Sequence, residues 1–309
     1  MTADLAALAA TPAAVDPQVA AAPPGPLPGG AGAGPGRRLH VPVRELLRRP
    51  GLILAVVISA LVVLSALAPG LLTRYDPTAT SPEEKLQAPS GTHWFGTDTL
   101  GRDLWSRLLH GSGQSLEGTA IAVGLALAVG LTLGLVAGFA GGWLDAVLMR
   151  IVDVALAIPP LLMALTIVTG LGFGIVPLGI AVGVGITPGF ARTVRSEVLR
   201  VRTLPFVEAA RTGGAGWLRV MVGHVLPNSW SPVLVLALLD IGTAIQAIAA
   251  LSFLGFGAPP PDTDWGGLIS DGRSYLVTSP WLCLLPGSFV VVAVLSVNHI
   301  ARTVEGWRR

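Results

Sequence analysis

Few residues in this chain are spaced for covalent or metal chemistry. The five histidines, His40, His93, His110, His224 and His299, are scattered. No two have the His-x-x-x-His spacing that sets a metal-binding pair on one helix face. Cys283 is the single cysteine, which excludes an intrachain disulfide and a two-cysteine zinc site; its setting, Trp281-Leu282-Cys283-Leu284-Leu285, reads as that of a buried, unreactive thiol. No metal site is expected. Lys85 is the only lysine, and it follows Glu83-Glu84 rather than a glycine-rich turn, so the chain has no phosphate-binding loop of its own. Gly111-Ser112-Gly113 falls short of a Gly-x-Ser-x-Gly nucleophile elbow and reads as a loop before an apolar run. Two acids lie within apolar runs, Asp153 and Asp240. A paired intramembrane aspartyl site would need both, but Arg150 stands one turn before Asp153 and offers it an ion pair. Asp240, in VLVLALLDIGTAIQ, has no charge nearby in sequence. A carboxylate at such depth faces a water-filled cavity or a partner helix. Asp240 and Gln246 are therefore candidates to line a solute pathway, with helix pairing as the alternative.

The elements that must carry these residues are membrane helices. Apolar residues make up 52% of the 309 and charged residues 12%, against about 25% charged in an average soluble domain. Mean hydropathy is +0.69. Apolar runs near 51–72, 116–140, 145–169, 174–194, 230–255 and 281–301 are each long enough to cross a bilayer. The expected fold class is thus an all-α integral membrane protein with six transmembrane helices, occupying residues 41–309. Residues 1–40, rich in Ala, Pro and Gly, bury too little to offset their ordering entropy and read as a disordered tail. They lack the basic start and unbroken apolar core of a signal peptide.

The basic residues orient these spans. With the N-terminus in the cytoplasm, the inner segments hold fifteen of the 20 Lys and Arg, including Arg37–Arg49, Arg192–Arg219 and Arg302–Arg309. The outer segments hold Arg74, Lys85, Arg102, Arg107 and Arg273. The positive-inside rule then places both termini in the cytoplasm of a multi-pass plasma (inner) membrane protein. It also places the loop at 202–230, RTLPFVEAARTGGAGWLRVMVGHVLPNSW, on that side. Thr203 is expected as the N-cap of a short helix, with Pro205 in its first turn. Phe206, Val207 and Ala210 would share one face, with Glu208 and Arg211 on another, and Gly213-Gly214 would end the helix. A second amphipathic stretch runs from Trp217 to Val225. Such a knob could dock on another protein or lie on lipid, and the physics alone leaves both open.

Glu208-Ala209-Ala210, Gly214 and Leu226-Pro227 together resemble the EAA loop of permeases in bacterial ABC importers, with His224 where that pattern has an aliphatic residue. Three further stretches resemble the C-type permease of dipeptide, oligopeptide and nickel importers: WFGTDTLGRDLWSRLLHGSGQSL at 94–116, Met149–Asp153 before Ile158-Pro159, and LSFLGFGAPPPDTDWGGLISDGRS at 251–274. The resemblance runs from about residue 40 to the end. It implies the type I (MetI-like) importer permease fold. It also implies that Glu208, Ala209, Ala210, Arg211, Gly214, Leu226 and Pro227 form the coupling loop that meets an ATPase subunit.

In the Gly101-Arg102-Asp103 run, Asp103 and Arg107 are spaced to pair at i, i+4, so the run reads as an interfacial hinge rather than a ligand site. Asp98, Arg150 and Asp153 belong to the same structural class. The loop after the fifth apolar run reads as stiff at Pro259–Pro261 and flexible at Gly266-Gly267. The resemblance implies a non-catalytic transport subunit working with a homologous second permease, two ATP-binding cassette subunits that hold ATP and Mg²⁺, an extracytoplasmic solute-binding protein, lipid and a peptide cargo. The chain itself would bind no cofactor and no nucleic acid. A nickel-complex importer is the alternative cargo reading, and a secondary transporter or an intramembrane enzyme are the rival classes.

Overall fold

A computed structural model describes residues 50–306. The tail at 1–40 and the basic stretch before the first span lie outside the described residues. Among the described residues the structure is helical, apart from one bridge between Thr97 and Asp103. Helix α1 is Pro50–Leu67. A long second span runs through α2, Leu104–Leu125, a wide π-turn at Ala126–Gly130 and α3, Leu131–Ala140. Then come α4, Gly142–Leu156, α5, Pro160–Leu171, and α6, Ile175–Arg202. After these, α7 is Pro205–Thr212 and α8 is Trp217–Val220, which a π-turn at Met221–Val225 joins to α9, Leu226–Leu251. Helix α10, Trp265–Gly272, and α11, Trp281–Gly306, complete the fold.

Among the described residues, five continuous helical stretches are long and apolar enough to cross a membrane, and α4 with α5 makes a sixth only as a pair bent by 89°. The expected straight span at 145–169 is thus broken. Ile158-Pro159-Pro160 explains the break, because a residue before proline is pushed out of the helical region and the two rings supply no N–H. Pro159 is extended, at φ −55° and ψ 129°. Proline also ends α1 five residues early, at Leu67 before Ala68-Pro69.

Helix α6 is the post around which the others pack. It is 61% buried over its apolar window, against 22–39% for the other continuous spans. Its partners α2 and α3 approach through glycine. A Cβ on Gly134 would lie 2.6 Å from Val194 Cβ, and one on Gly138 would lie 2.8 Å from Val198 Cβ. Small residues every fourth position let two backbones meet closely, the main source of helix affinity where lipid removes the hydrophobic drive.

The end of the bundle remote from α7 is closed by buried polar groups. Asp98 Oδ2 accepts from Arg102 Nε at 2.7 Å and Arg107 Nη1 at 2.8 Å, while Oδ1 accepts the backbone N–H groups of Leu100 and Arg102. Arg107 is therefore not the partner of Asp103. It turns to Asp98 and lies 3.6 Å from Asp271. Asp103 caps α2 by accepting the Ser106 N–H at 2.7 Å, and its other oxygen sits 2.8 Å from His93 Nδ1. The i, i+4 pairing fails because a capping carboxylate points back over the helix start rather than along its face. Gly101, at φ +78°, passes against the Ser81 carbonyl, where no side chain fits. Because the cap lies at Asp103, the second span starts at Leu104 rather than near 116, and Gly111-Ser112-Gly113 is helical rather than a loop.

Gly266-Gly267 likewise is not flexible. It forms the first turn of α10, with both N–H groups held by Asp264 Oδ1. Asp264 also accepts from the Ser252 hydroxyl and from the Ala258 N–H at 2.9 Å. Trp265, wholly buried, donates from its N–H to Ser115 Oγ and from its indole to Ser112 Oγ, which pins α10 to α2. Removing Asp98 would leave two guanidinium groups facing each other with little water. Asp98→Ala should lower stability by about 3–5 kcal/mol, read as a drop in the melting temperature of the purified chain in detergent, with Asp98→Asn less severe.

Candidate functional site

The knob after α6 grows out of the post without slack. Helix α6 continues to Arg202, and only Thr203 and Leu204 separate it from α7. Thr203 is not the N-cap. Its hydroxyl bonds back to the Arg200 carbonyl, and Leu204 occupies the cap position in extended conformation, as a residue before Pro205 must. The Leu204 carbonyl takes the N–H groups of Val207 and Glu208. Val207 is fully buried in the cluster that includes Phe139, Val201, Val220 and Val225. Phe206, expected on the same side as Val207, is instead 41% exposed, while Ala210 packs partly on the cluster. One residue of rotation separates them, about 100° on a helix.

The exposed side of α7 therefore carries Phe206, Glu208, Ala209 and Arg211. Its exit is a left-handed turn. Gly214 has φ +82°, and the Ala215 N–H reaches back to the Ala210 carbonyl at 3.1 Å. That bond uses one of the carbonyls a helix end leaves free, and the positive φ calls for glycine. The chain then returns through α8. Trp217 packs edge-on to Phe139 at 5.2 Å. The second amphipathic stretch is not a separate helix, since it continues through the Met221–Val225 π-turn into α9. Pro227 accounts for the wide turn: it supplies no N–H, and its ring crowds the carbonyl four residues back. Leu226 packs partly on the same cluster, and Pro227 is exposed.

Arginines on α6 tie this knob to the neighbouring helices. Arg195 makes a bidentate pair with Asp145 on α4, Nε to Oδ1 and Nη2 to Oδ2, both at 2.6 Å. Arg192 pairs with Asp153. Arg202 Nη1 donates to the Gly138 carbonyl at the end of α3, at 2.7 Å. Asp153 therefore bonds across to α6 and not to Arg150, whose side chain is exposed on α4. The sequence reading missed both the Asp145–Arg195 pair and Asp264. Asp145 sits fifty residues from its partner, beyond any local spacing rule. Asp264 was legible, because an Asp two residues before Gly at a helix start is an N-cap pattern.

Asp240 and Gln246 lie apart from the knob, on the outward stripe of α9. Asp240 is half-buried and has neither an ion pair nor a hydrogen bond among the described residues. Gln246 is exposed and borders a cleft between α5, α6 and α9.

Comparison with known proteins fits this geometry. The dipeptide transport system permease protein DppC of Alkalihalophilus pseudofirmus is 42% identical over 245 residues, covering 79% of this chain and 80% of that protein. The probable D,D-dipeptide transport system permease protein DdpC of Escherichia coli is 38% identical, covering 79% and 82%. The glutathione transport system permease protein GsiD of Pectobacterium atrosepticum is 37% identical, covering 69% and 70%. Among solved structures, an inward-facing MetNI methionine ABC transporter shares the fold at TM-score 0.54 and 19% identity, covering 65% of this chain and 95% of that one. Residues 130–307, which hold α3 to α11 and the whole knob, match the family described as binding-protein-dependent transport system inner membrane component, and the chain belongs to that family.

Proposed function

We propose that this chain is one of two permease subunits of an ATP-driven importer for dipeptides or oligopeptides in a bacterial plasma membrane, and that α7 is its contact with an ATPase subunit. The observation that carries this reading is the build of the knob. Its exposed surface presents Glu208, Ala209 and Arg211, while its inner surface is bonded to the post of the membrane domain. A helix lying on lipid would turn a continuous apolar face outward, whereas here Val207 turns inward and Phe206 is the one large apolar side chain among the exposed Glu208, Ala209 and Arg211. The names of the relatives, dipeptide, D,D-dipeptide and glutathione permeases, support a peptide cargo.

In this reading ATP and Mg²⁺ are held by two partner ATPase subunits, and both termini of this chain lie in the cytoplasm with α7. A solute-binding protein delivers the peptide on the opposite side. Nucleotide state acts by favouring one position of α7, since a ligand shifts a conformational equilibrium only through different affinity for the two states. The displacement passes to α6, because only two residues intervene. It spreads to α3 and α4 through Arg202, Arg195 and Arg192, and the glycine contacts with α3 leave no space to absorb it.

Three measurements test this assignment. Glu208→Lys and Gly214→Val should abolish peptide uptake while the chain still inserts and is recovered from membranes in normal amount; unchanged uptake in both would refute the docking role. Arg195→Ala should lower the peptide imported per ATP hydrolysed about fivefold, and the charge swap Asp145→Arg with Arg195→Asp should recover much of it. In a Cys283→Ala background, thiols introduced at Ser90 and Thr212 should react with an impermeant reagent from opposite sides of the membrane; labelling from the same side would overturn the orientation.

A further inference from the structure

The α9 residues that the rest of the chain leaves uncovered form one stripe, on which Asp240, Thr243, Gln246 and Ala250 are exposed or half-buried. The opposite stripe, with Gly242, Ile245 and Ile248, is packed. A stripe carrying a carboxylate and an amide is poorly suited to hydrocarbon, so it belongs against a water-filled space or a partner. Beside it, Pro160 and Leu161 of α5 and Val182 and Ile186 of α6 face Thr243 and Gln246 across an open cleft of about 290 Å³. Asp240 lies one helical turn from Thr243, about 4.5 Å along the axis.

The two neighbouring features have different chemistry. The cleft is walled almost wholly by apolar side chains and suits a side chain of loosely defined type. Asp240 is a single carboxyl group with no ion-pair or hydrogen-bond partner among the described residues. No group of three or more His, Cys, Asp or Glu side chains gathers among the described residues, so Asp240 is not built for a metal ion. A peptide presents the complementary pair, one terminal ammonium and, a residue away, a side chain of variable character.

We propose that Asp240 receives the terminal ammonium of a peptide in transit while the adjoining cleft takes one of its side chains. This rests on the peptide-import reading above and adds the site at which cargo is held within the membrane. Charge complementarity selects the occupant. The hydrogen bonds that would give side-chain selectivity are confined to Thr243 and Gln246, so this station would be permissive for sequence and strict for the free amine.

The test uses the whole importer, with its second permease, ATPase subunits and binding protein, reconstituted in lipid vesicles and supplied with labelled tri-alanine at saturating binding protein. Asp240→Asn should cut uptake about tenfold, the effect of losing one charge pair. Asp240→Glu should stay near the wild-type rate, and all three complexes should be recovered in equal amount. Undiminished uptake by Asp240→Asn would overturn the proposal. Poor recovery of the Asp240→Asn complex, with uptake per assembled complex unchanged, would also overturn it and assign Asp240 to a bond with a partner helix. Absence of tri-alanine uptake by the wild-type complex would overturn the peptide-import reading itself, and this station with it.

Discussion

The close approach of α6 to α2 and α3 is the constraint from which the rest of the structure follows. In lipid, helices gain little by hiding apolar surface from one another, so they are held by close packing of backbone and small side chains. Gly134 and Gly138 make that packing possible against Val194 and Val198. Once α6 is seated, its arginines fall beside α4 and the end of α3, and its C-terminus delivers the chain directly into α7. The knob is thus keyed to the glycine contact between α3 and the arginine-bearing half of α6.

The two ends of the bundle use charge differently. At the end remote from α7, Asp98, Arg107 and Asp264 are buried and every oxygen of the two carboxylates is bonded. Breaking such a network leaves an uncompensated charge, which is costly, so that end is held in one arrangement. At the α7 end the Arg192–Asp153 pair is half open to solvent on both sides. Exposed pairs contribute little to stability and are easily remade. The Asp145–Arg195 pair beside it is bidentate and more sheltered, so the two pairs at that end differ in how readily they are remade.

Much of this was readable from residue types. Apolar runs fell on the long helices of the structure, though α6 runs on past 194 to Arg202 because its charged last turns carry no hydropathy signal. Pro205 and Gly214 marked the start and finish of α7 through their backbone requirements alone, and the composition of 202–230 gave the knob. The failures share one cause, the use of local spacing for bonds that are made at a distance. Arg107 reached past Asp103 to Asp98, and Asp153 took Arg192 rather than Arg150. The bend between α4 and α5 was visible in Ile158-Pro159-Pro160, yet hydropathy averages over it. The packed glycines of α3 could not be told from lipid-facing ones, since a missing side chain looks the same in either setting.

The way α7 is fastened at both ends bears on how such a knob can change over evolutionary time. Leu204 and Pro205 set where the helix begins, Gly214 sets where it stops, and Val207 and Ala210 key it to the core between them. Inserting or deleting one residue ahead of Val207 would rotate everything downstream by about 100°, an insertion putting Phe206 and a deletion putting Glu208 in the place of Val207. Substitutions on the outer face disturb none of these fixings. A lineage can therefore rewrite the outer residues one position at a time, while the length from Pro205 to Gly214 stays frozen.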